Sequence, residues 1–305
     1  MGTVGFIYDE VFLRHEPPDW HPDSPDRLVN IVLTLKAAGL WSRLDHIPPR
    51  KALPEDLALV HTPESIRHIR DLGAGEVDPD TYTSADSFDA ASYAAGAVME
   101  AVDRCRNNGM RRVFCAVRPP GHHAEADRAM GFCLFNNVAI GARHALRSGY
   151  RRVFIIDFDA HHGNGTQHIF EEDDRVFYFS THQYPYYPET GKDMERGRGK
   201  GEGYTYNVQI LAGSGNKDYL TVYQDILPSV VQRFGPDLIL VSAGYDIHAN
   251  DPHANIRVTH EGIHGIVRSI LTSADVPMVF VLEGGYDLPS LCDSLKITIE
   301  EMMKA

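Results

Sequence analysis

The chain has 305 residues, 43% hydrophobic and 23% charged, a balance ordinary for an ordered globular protein and too apolar for a disordered one. Its formal net charge of −13 and short basic runs exclude a nucleic-acid surface, which needs clustered Lys and Arg, and point to a cationic or neutral partner. No apolar run approaches the ~20 residues of a membrane span and no charged-then-apolar leader opens the sequence, so a soluble cytoplasmic protein is expected.

Gly5 to Tyr8 predicts a short strand that empties into a long polar loop, Asp9 to Pro25, carrying His15, Trp20 and His21. Ser24-Pro25 is a helix-start signal, and Leu28, Ile31, Val32 and Leu35 recur at helical spacing until Gly39. Thr62-Pro63 opens a second helix that closes near Gly73; Asp78 to Ser84 reads as a polar loop, and alanine-rich Ser87 to Asn108 as a long helix. Val113 to Val117 is a strand stopped by Arg118-Pro119-Pro120-Gly121-His122-His123. Helix Asn136 to Arg147, strand Val153 to Ile156 and strand Val176 to Ser180 follow. The glycine-rich stretch Gly191 to Gly203 has no strand feeding it into a helix, as a phosphate loop would require, and reads as a mobile surface loop. Strand Tyr204 to Ile210, a helix from Asp218 to Phe234 that Pro228 is expected to kink, strand Leu238 to Val241, helix Thr259 to Ser273, strand Met278 to Leu282 and a helix from Leu288 to about Met302 complete the chain.

Strands alternating with helices predict one α/β domain over residues 1–305, a central parallel β-sheet with helices on both faces. The four cysteines are widely spaced without a C-x-x-C pair and are expected to be reduced and mostly buried. With 16 histidines, a metal site would be built from imidazole and carboxylate. Four strands end in polar or glycine-rich turns, at His122-His123, Asp157 to His162, Asp246 and Tyr286. Ligands of such sheets bind beyond the carboxyl ends of the strands, so these turns are expected to share one cleft.

The stretch Ile155 to Gln167, IIDFDAHHGNGTQ, organises that cleft. Clustered carboxylates and imidazoles at the edge of an apolar core call for a cation. Asp159 and His161 lie at i and i+2 past the strand, and Asp246 comes from another strand end, giving a carboxylate, imidazole, carboxylate set. An isolated Asp after a strand is ordinarily a helix cap and an isolated His ordinarily a core or surface residue. Caps have no reason to gather with a double histidine and a Gly-Gly-Tyr.

RPPGHHA at Arg118 to Ala124, GFCLFNN at Gly131 to Asn137, DFDAHHGNGTQ at Asp157 to Gln167, SAGYD at Ser242 to Asp246 and LEGGY at Leu282 to Tyr286 occur in order. In these stretches, and along essentially the whole chain from Gly5, the sequence resembles the zinc-dependent histone deacetylase family, in its class II-like prokaryotic branch with the acetylpolyamine amidohydrolases. The resemblance implies the arginase/deacetylase-like fold and hydrolysis of an N-acetylated amine, acetyl-lysine or acetylpolyamine, small molecule or peptide. It implies zinc on Asp159, His161 and Asp246, a set that can also accept Fe(II). It makes His123 the general base, held by Asn164, and His122 an electrostatic partner or proton donor, held by Asp157. Tyr286 would donate to the oxyanion, and Phe132 and Tyr187 would wall the substrate channel, their bland alternative being core packing. Ser180 and Thr181, with backbone of Asp157, Asp159 and His161, match a structural potassium site; Phe170, Asp173, Val176 and Tyr204 match a weaker second one. A homo-oligomer is compatible with the resemblance.

His253 departs from the pattern, standing where lysine deacetylases of this branch carry Leu and polyamine-selective relatives carry Glu. His248 nearby is also unusual, and both fit either exposed loop histidines or groups shaping the channel mouth. Trp20, His21 and Asp78 or Asp80 are further rim candidates, and His162 is expected to be a packed structural residue. Two other functions share parts of the pattern. A dinuclear manganese ureohydrolase needs a further carboxylate two residues after the ligand histidine, where this chain has Gly163. A catalytically idle deacetylase-like binding protein would not need the intact set of His123, Tyr286 and three ligands.

Overall fold

The computed structural model describes residues 3–305. In chain order its elements are β1 (Val4–Ile7), α1 (Asp26–Ala37), β2 (Asp45–Ile47), α2 (Pro54–Leu57), α3 (Pro63–Leu72), β3 (Gly75–Asp78), β4 (Thr81–Thr83), α4 (Ser87–Asn107), β5 (Arg112–Cys115) and α5 (Asn137–Arg147). There follow β6 (Val153–Asp157), α6 (Asn164–Phe170), β7 (Val176–Gln183), β8 (Thr205–Ile210), α7 (Asn216–Thr221), α8 (Leu227–Phe234), β9 (Leu238–Ala243), α9 (His260–Thr272), β10 (Met278–Leu282) and α10 (Leu288–Met302). Eight strands form one parallel sheet in the order β2-β1-β5-β10-β9-β6-β7-β8. The expected fold class, a central parallel sheet covered on both faces, is what the chain adopts. The strands β6, β9 and β10 are buried at every position, which is why their sequences are unbroken apolar runs rather than alternating ones.

The helices cover the sheet through faces legible at 3.6-residue spacing. α1 buries Leu28, Ile31, Val32 and Leu35, and the alanines of α4 let it approach α5 closely. All four cysteines are free and buried. No helix among the described residues is long and apolar enough to cross a membrane. Register then fixes the site. Asp157 stands level with Ser180 on β7 and Ser242 on β9, while β10 lies between β9 and β5. The carboxyl ends of β5, β10, β9, β6 and β7 are thus neighbours, and the turns that follow them open on one side.

Three local expectations change and one helix is added. The polar loop Asp78 to Ser84 contains β4, which pairs antiparallel with β3 in a hairpin of short strands too polar to show an apolar alternation. α6 begins at Asn164-Gly165 directly after Gly163, a poor helix start, and is held by close packing: a Cβ on Gly165 would lie 2.2 Å from the Ala124 carbonyl oxygen. At Pro228 a π-helical turn, Val222–Ile226, takes the place of a simple kink, with Leu227 N–H reaching back to Val222 O and so accommodating the missing proline donor. The stretch Gly191 to Gly203 is anchored rather than free. Gly191 N–H donates to Glu195, Arg198 N–H to the Glu171 carbonyl, and the Arg198 guanidinium pairs with Glu171 and Glu172.

The long loop before α1 is tied down by buried charge. Asp23 accepts from Arg118 Nε at 2.7 Å and Arg27 Nη1 at 2.8 Å, all three side chains being almost fully enclosed. Arg118 also donates to the carbonyls of Phe12 and His15, and Arg27 to those of Glu283 and Gly285 beyond β10. Burial opposes the Asp23 charge, but the two guanidiniums outweigh it and hold the carboxyl well below its usual range. Asp23→Asn leaves two buried cations without their counter-charge and is expected to cost about 3–5 kcal/mol, read as a lowered midpoint in urea unfolding.

Candidate active site

Asp159 and His161 follow β6, and Asp246 follows β9; ligand atoms of the three lie within 4.8 Å of one another. His161 Nδ1 faces both carboxylates, 2.9 Å from Asp246 Oδ2 and 3.2 Å from Asp159 Oδ1. Backbone donors aim the acids: Ala160 N–H bonds Asp246 Oδ1, His161 N–H bonds Asp159 Oδ1, and Gly284 N–H bonds Asp159 Oδ2, each at 2.9 Å. A Cβ on Gly244 would sit 2.1 Å from Asp159 Oδ2, and one on Gly284 would sit 2.6 Å from both Asp159 Oδ2 and Asp246 Oδ2. Glycine at both positions is what allows the strand ends to close on the acids. Burial and the charge of Asp159 push the Asp246 carboxyl up to about 7, so two ionised acids here require positive charge between them. Two oxygens and one imidazole nitrogen suit a single zinc-like cation. At Gly163 a Cβ would lie 2.3 Å from Asp157 Oδ2 and 2.7 Å from the Tyr178 hydroxyl, so no side chain there could hold a second ion.

The tandem histidines stand beside this centre with ring centroids 4.0 Å apart. His122 Nδ1 lies 3.1 Å from Asp157 Oδ2, which also accepts from Tyr178 Oη at 3.0 Å; His123 Nδ1 lies 2.8 Å from Asn164 Oδ1. Their electrostatics diverge. Burial disfavours the charged form of His122, but Asp159 and Asp157 outweigh it and push the ring up to about 10. His123 faces a neutral amide, and burial together with the charge on neighbouring His122 pushes it well below 6.5.

A cavity of about 190 Å³ opens above these groups, lined by Phe132, Tyr187, His253, Tyr286 and Asp80 as well as by Asp159, His161 and both tandem histidines. Tyr187 meets His123 edge-on at 5.3 Å; Tyr286 is edge-on to Phe132 at 5.8 Å and to His253 at 4.7 Å, with the Arg27 guanidinium 5.0 Å from its ring. Burial pushes the Tyr286 phenol well above 10, so it keeps its proton. Phe132 sits at φ 69°, in the left-handed region that a bulky residue avoids. The unforeseen hairpin holds it there: Phe132 N–H donates to Thr81 Oγ1 at 3.0 Å and Gly131 N–H to Asp80 Oδ1 at 3.2 Å. A larger groove of about 600 Å³ opens elsewhere, but its charges pair with each other, Asp173 with Arg143 and Arg175, and Arg198 with Glu171 and Glu172.

The other candidates fall in varied places. His253 faces the cavity, and His248 is buried with its ring 4.4 Å from that of His260, so neither is an exposed loop histidine. His21 packs 4.5 Å from Phe132 and bonds the Asp80 carbonyl, Asp78 accepts from Asp80 N–H, and exposed Trp20 meets Tyr82 edge-on. His162 is buried between Thr190 Oγ1 and Gln167 Oε1. Ser180 Oγ bonds His182 Nδ1 and Thr181 Oγ1 bonds Tyr223 Oη, while the Phe170 and Asp173 carbonyls accept from Asp173 and Val176 N–H. Sequence reasoning passed over Glu283. Its carboxylate gathers Gly121 N–H at 2.7 Å, His122 N–H at 3.2 Å and Ser242 Oγ at 3.1 Å, binding three strand ends together. Its position inside LEGGY was the only signal available.

Fold and site together define a hydrolase of the arginase/deacetylase fold. The chain belongs to the histone deacetylase family: residues 21–302 match the histone deacetylase domain. A probable deacetylase of Archaeoglobus fulgidus is 40% identical over 294 residues, 94% of this chain and 82% of that protein. The human polyamine deacetylase HDAC10 is 35% identical across 99% of this chain, which spans only 48% of that longer protein. The crystal structure of the HDA15 HD domain superposes with a TM-score of 0.96 at 35% identity, covering 99% of this chain and 88% of that one.

Proposed function

We propose that residues 1–305 form one catalytic domain of a cytoplasmic zinc-dependent deacetylase that releases acetate from an N-acetylated amine, an acetyl-lysine or acetylpolyamine. The observation that carries this reading is the convergence, around one narrow cavity, of the Asp159–His161–Asp246 triad, the His123 imidazole and the Tyr286 phenol. The acetylated tail would lie between Phe132 and Tyr187, its carbonyl oxygen meeting the Tyr286 hydroxyl, which donates to the oxyanion as it forms. His123, neutral and with its Nδ1 side turned to Asn164, takes a proton from water at Nε2. His122, kept cationic by Asp157 and Asp159, favours that transfer electrostatically and supplies a proton to the departing amine. Bound zinc would supply Lewis acidity toward the amide carbonyl and make water nucleophilic near neutral pH. The net negative charge suits a cationic amine. A potassium ion at the paired ends of β6 and β7, near Asp157, Ser180 and Thr181, is part of the same reading.

Chelation is expected to abolish acetate release and one equivalent of zinc per chain to restore it. A parallel assay on an acetyl-lysine peptide and on acetylated putrescine, cadaverine and spermidine assigns the substrate. Full turnover in protein shown by elemental analysis to be metal-free would overturn the zinc reading.

A further inference from the structure

A second layer closes around His123 through Glu125, a residue with no part in the chemistry described above. Asn164, the first residue of α6, places Oδ1 2.8 Å from His123 Nδ1. An amide side chain has nearly the same shape either way round, and its neighbours decide which way is right. Here the Nδ2 end meets three acceptors: Glu125 Oε1 at 2.5 Å, the His123 carbonyl at 3.3 Å and the Met130 sulfur at 3.5 Å. Turned over, Oδ1 would face a carboxylate and a carbonyl with no hydrogen between them. With Oδ1 toward the ring, His123 must carry its hydrogen on Nδ1, which leaves the lone pair on Nε2.

Glu125 is the nearest of the three acceptors and the charged one, and it is itself fixed. His168 lies one helical turn beyond Asn164 and donates from Nδ1 to the same Oε1 at 2.8 Å, so α6 presents residues i and i+4 to one carboxylate oxygen. The Glu125 backbone is held at both polar groups, its N–H by the Arg128 carbonyl at 2.8 Å and its carbonyl by His61 Nδ1 at 2.9 Å. Burial opposes the charge on Glu125, but the bond and charge of His168, the Asn164 amide and the Arg128 charge together outweigh it and keep the carboxyl low.

We propose that Glu125 is a positioning residue for hydrolysis: it locks the Asn164 amide in one orientation and thereby fixes His123 as the Nδ1–H tautomer, with Nε2 free for the proton of water. The inference rests on His123 as the general base.

The test uses Glu125→Gln, Asn164→Asp, the double variant carrying both, and His123→Ala, all as full chains. A glutamine can turn either end of its amide to Asn164, so the lock is lost. An aspartate at 164 sets two carboxylates against each other. The double variant restores a donor facing an acceptor on each side: the new amide at position 125 donates to the new carboxylate at position 164, which also accepts from His123 Nδ1–H. Each single change is expected to lower kcat on an acetylated amine about 10- to 100-fold with KM little altered, and the double variant to recover most of that loss. In nitrogen spectra of the histidine-labelled protein, the His123 signals, identified by their loss in His123→Ala, should show the Nδ1–H tautomer alone in the parent and the double variant and a mixture in Glu125→Gln. Wild-type kcat and an unmixed tautomer in Glu125→Gln would overturn the proposal, as would a double variant no better than the singles. Full turnover in His123→Ala would instead remove the general-base assignment, while the spectra would still decide whether Glu125 sets the tautomer.

Discussion

Tyr286→Phe is expected to lower kcat on an acetylated amine by roughly 10²–10³-fold, the usual cost of one oxyanion donor, with KM changed little. The substitution removes one oxygen and keeps the ring. That ring is held without its hydroxyl, by edge contacts with Phe132 and His253 and by the Arg27 guanidinium, and its backbone N–H stays bonded to Asp251 Oδ2 at 2.6 Å. The channel should therefore keep its shape, and the unfolding midpoint should stay near that of the parent. A lost donor with packing intact acts on the transition state, where charge collects on the carbonyl oxygen, more than on substrate binding. Steady-state kinetics with a calorimetric control separates the two effects. Unchanged kcat in the folded variant would remove Tyr286 from the chemistry.

The parts of this site that could be read from the sequence are those whose chemistry is concentrated in a few adjacent residues at a strand end. Asp157, Asp159 and His161 follow an apolar strand in which no solvated reading fits, and the parallel pattern alone brings Asp246 and Tyr286 to the same edge of the sheet. What escaped were groups whose roles depend on contacts far apart in sequence. Thr81 lies some fifty residues from the Phe132 amide it holds, in a strand of three residues with no apolar period, and Asp80, named beforehand only as a rim candidate, holds the Gly131 amide from the turn just before that strand. Glu125 follows the RPPGHHA stretch directly, yet its bond to Asn164 spans 39 positions. Arg27 looks like an ordinary polar residue in the first turn of an amphipathic helix, but it is buried because the carbonyls of Glu283 and Gly285 need its donors. His248 and His253 show the converse: the sequence left exposed loop histidines and channel-mouth groups equally open, and burial of the one and the ring contact of the other with Tyr286, in a loop where Asp251 accepts from Tyr286 N–H, settle against exposed loops.

Replacing the tandem histidines one at a time should separate their two roles. His123→Ala removes the proton acceptor and is expected to lower kcat/KM by about 10²–10⁴-fold. His122→Ala should also cost activity, but its distinguishing effect is on the pH profile. In the parent, His123 must be neutral to act, so activity falls as pH drops through its pKa. Burial and the charge on neighbouring His122 hold that pKa well below 6.5, so the acid limb lies below 6.5. His122 must be charged to act, and Asp159 and Asp157 hold its pKa above 6.5 against its burial, so the alkaline limb lies above the acid one with a plateau between. Removing His122 takes away the neighbouring positive charge that helps keep His123 neutral, while its burial remains. The acid limb of kcat/KM should consequently move upward, toward 6.5, and the alkaline limb due to His122 should vanish. Profiles of both proteins measured across pH 5 to 10 on one acetylated amine, with metal content checked at each end, decide the matter. An acid limb that stays put in His122→Ala would mean that the two rings are not electrostatically coupled as their 4.0 Å separation requires.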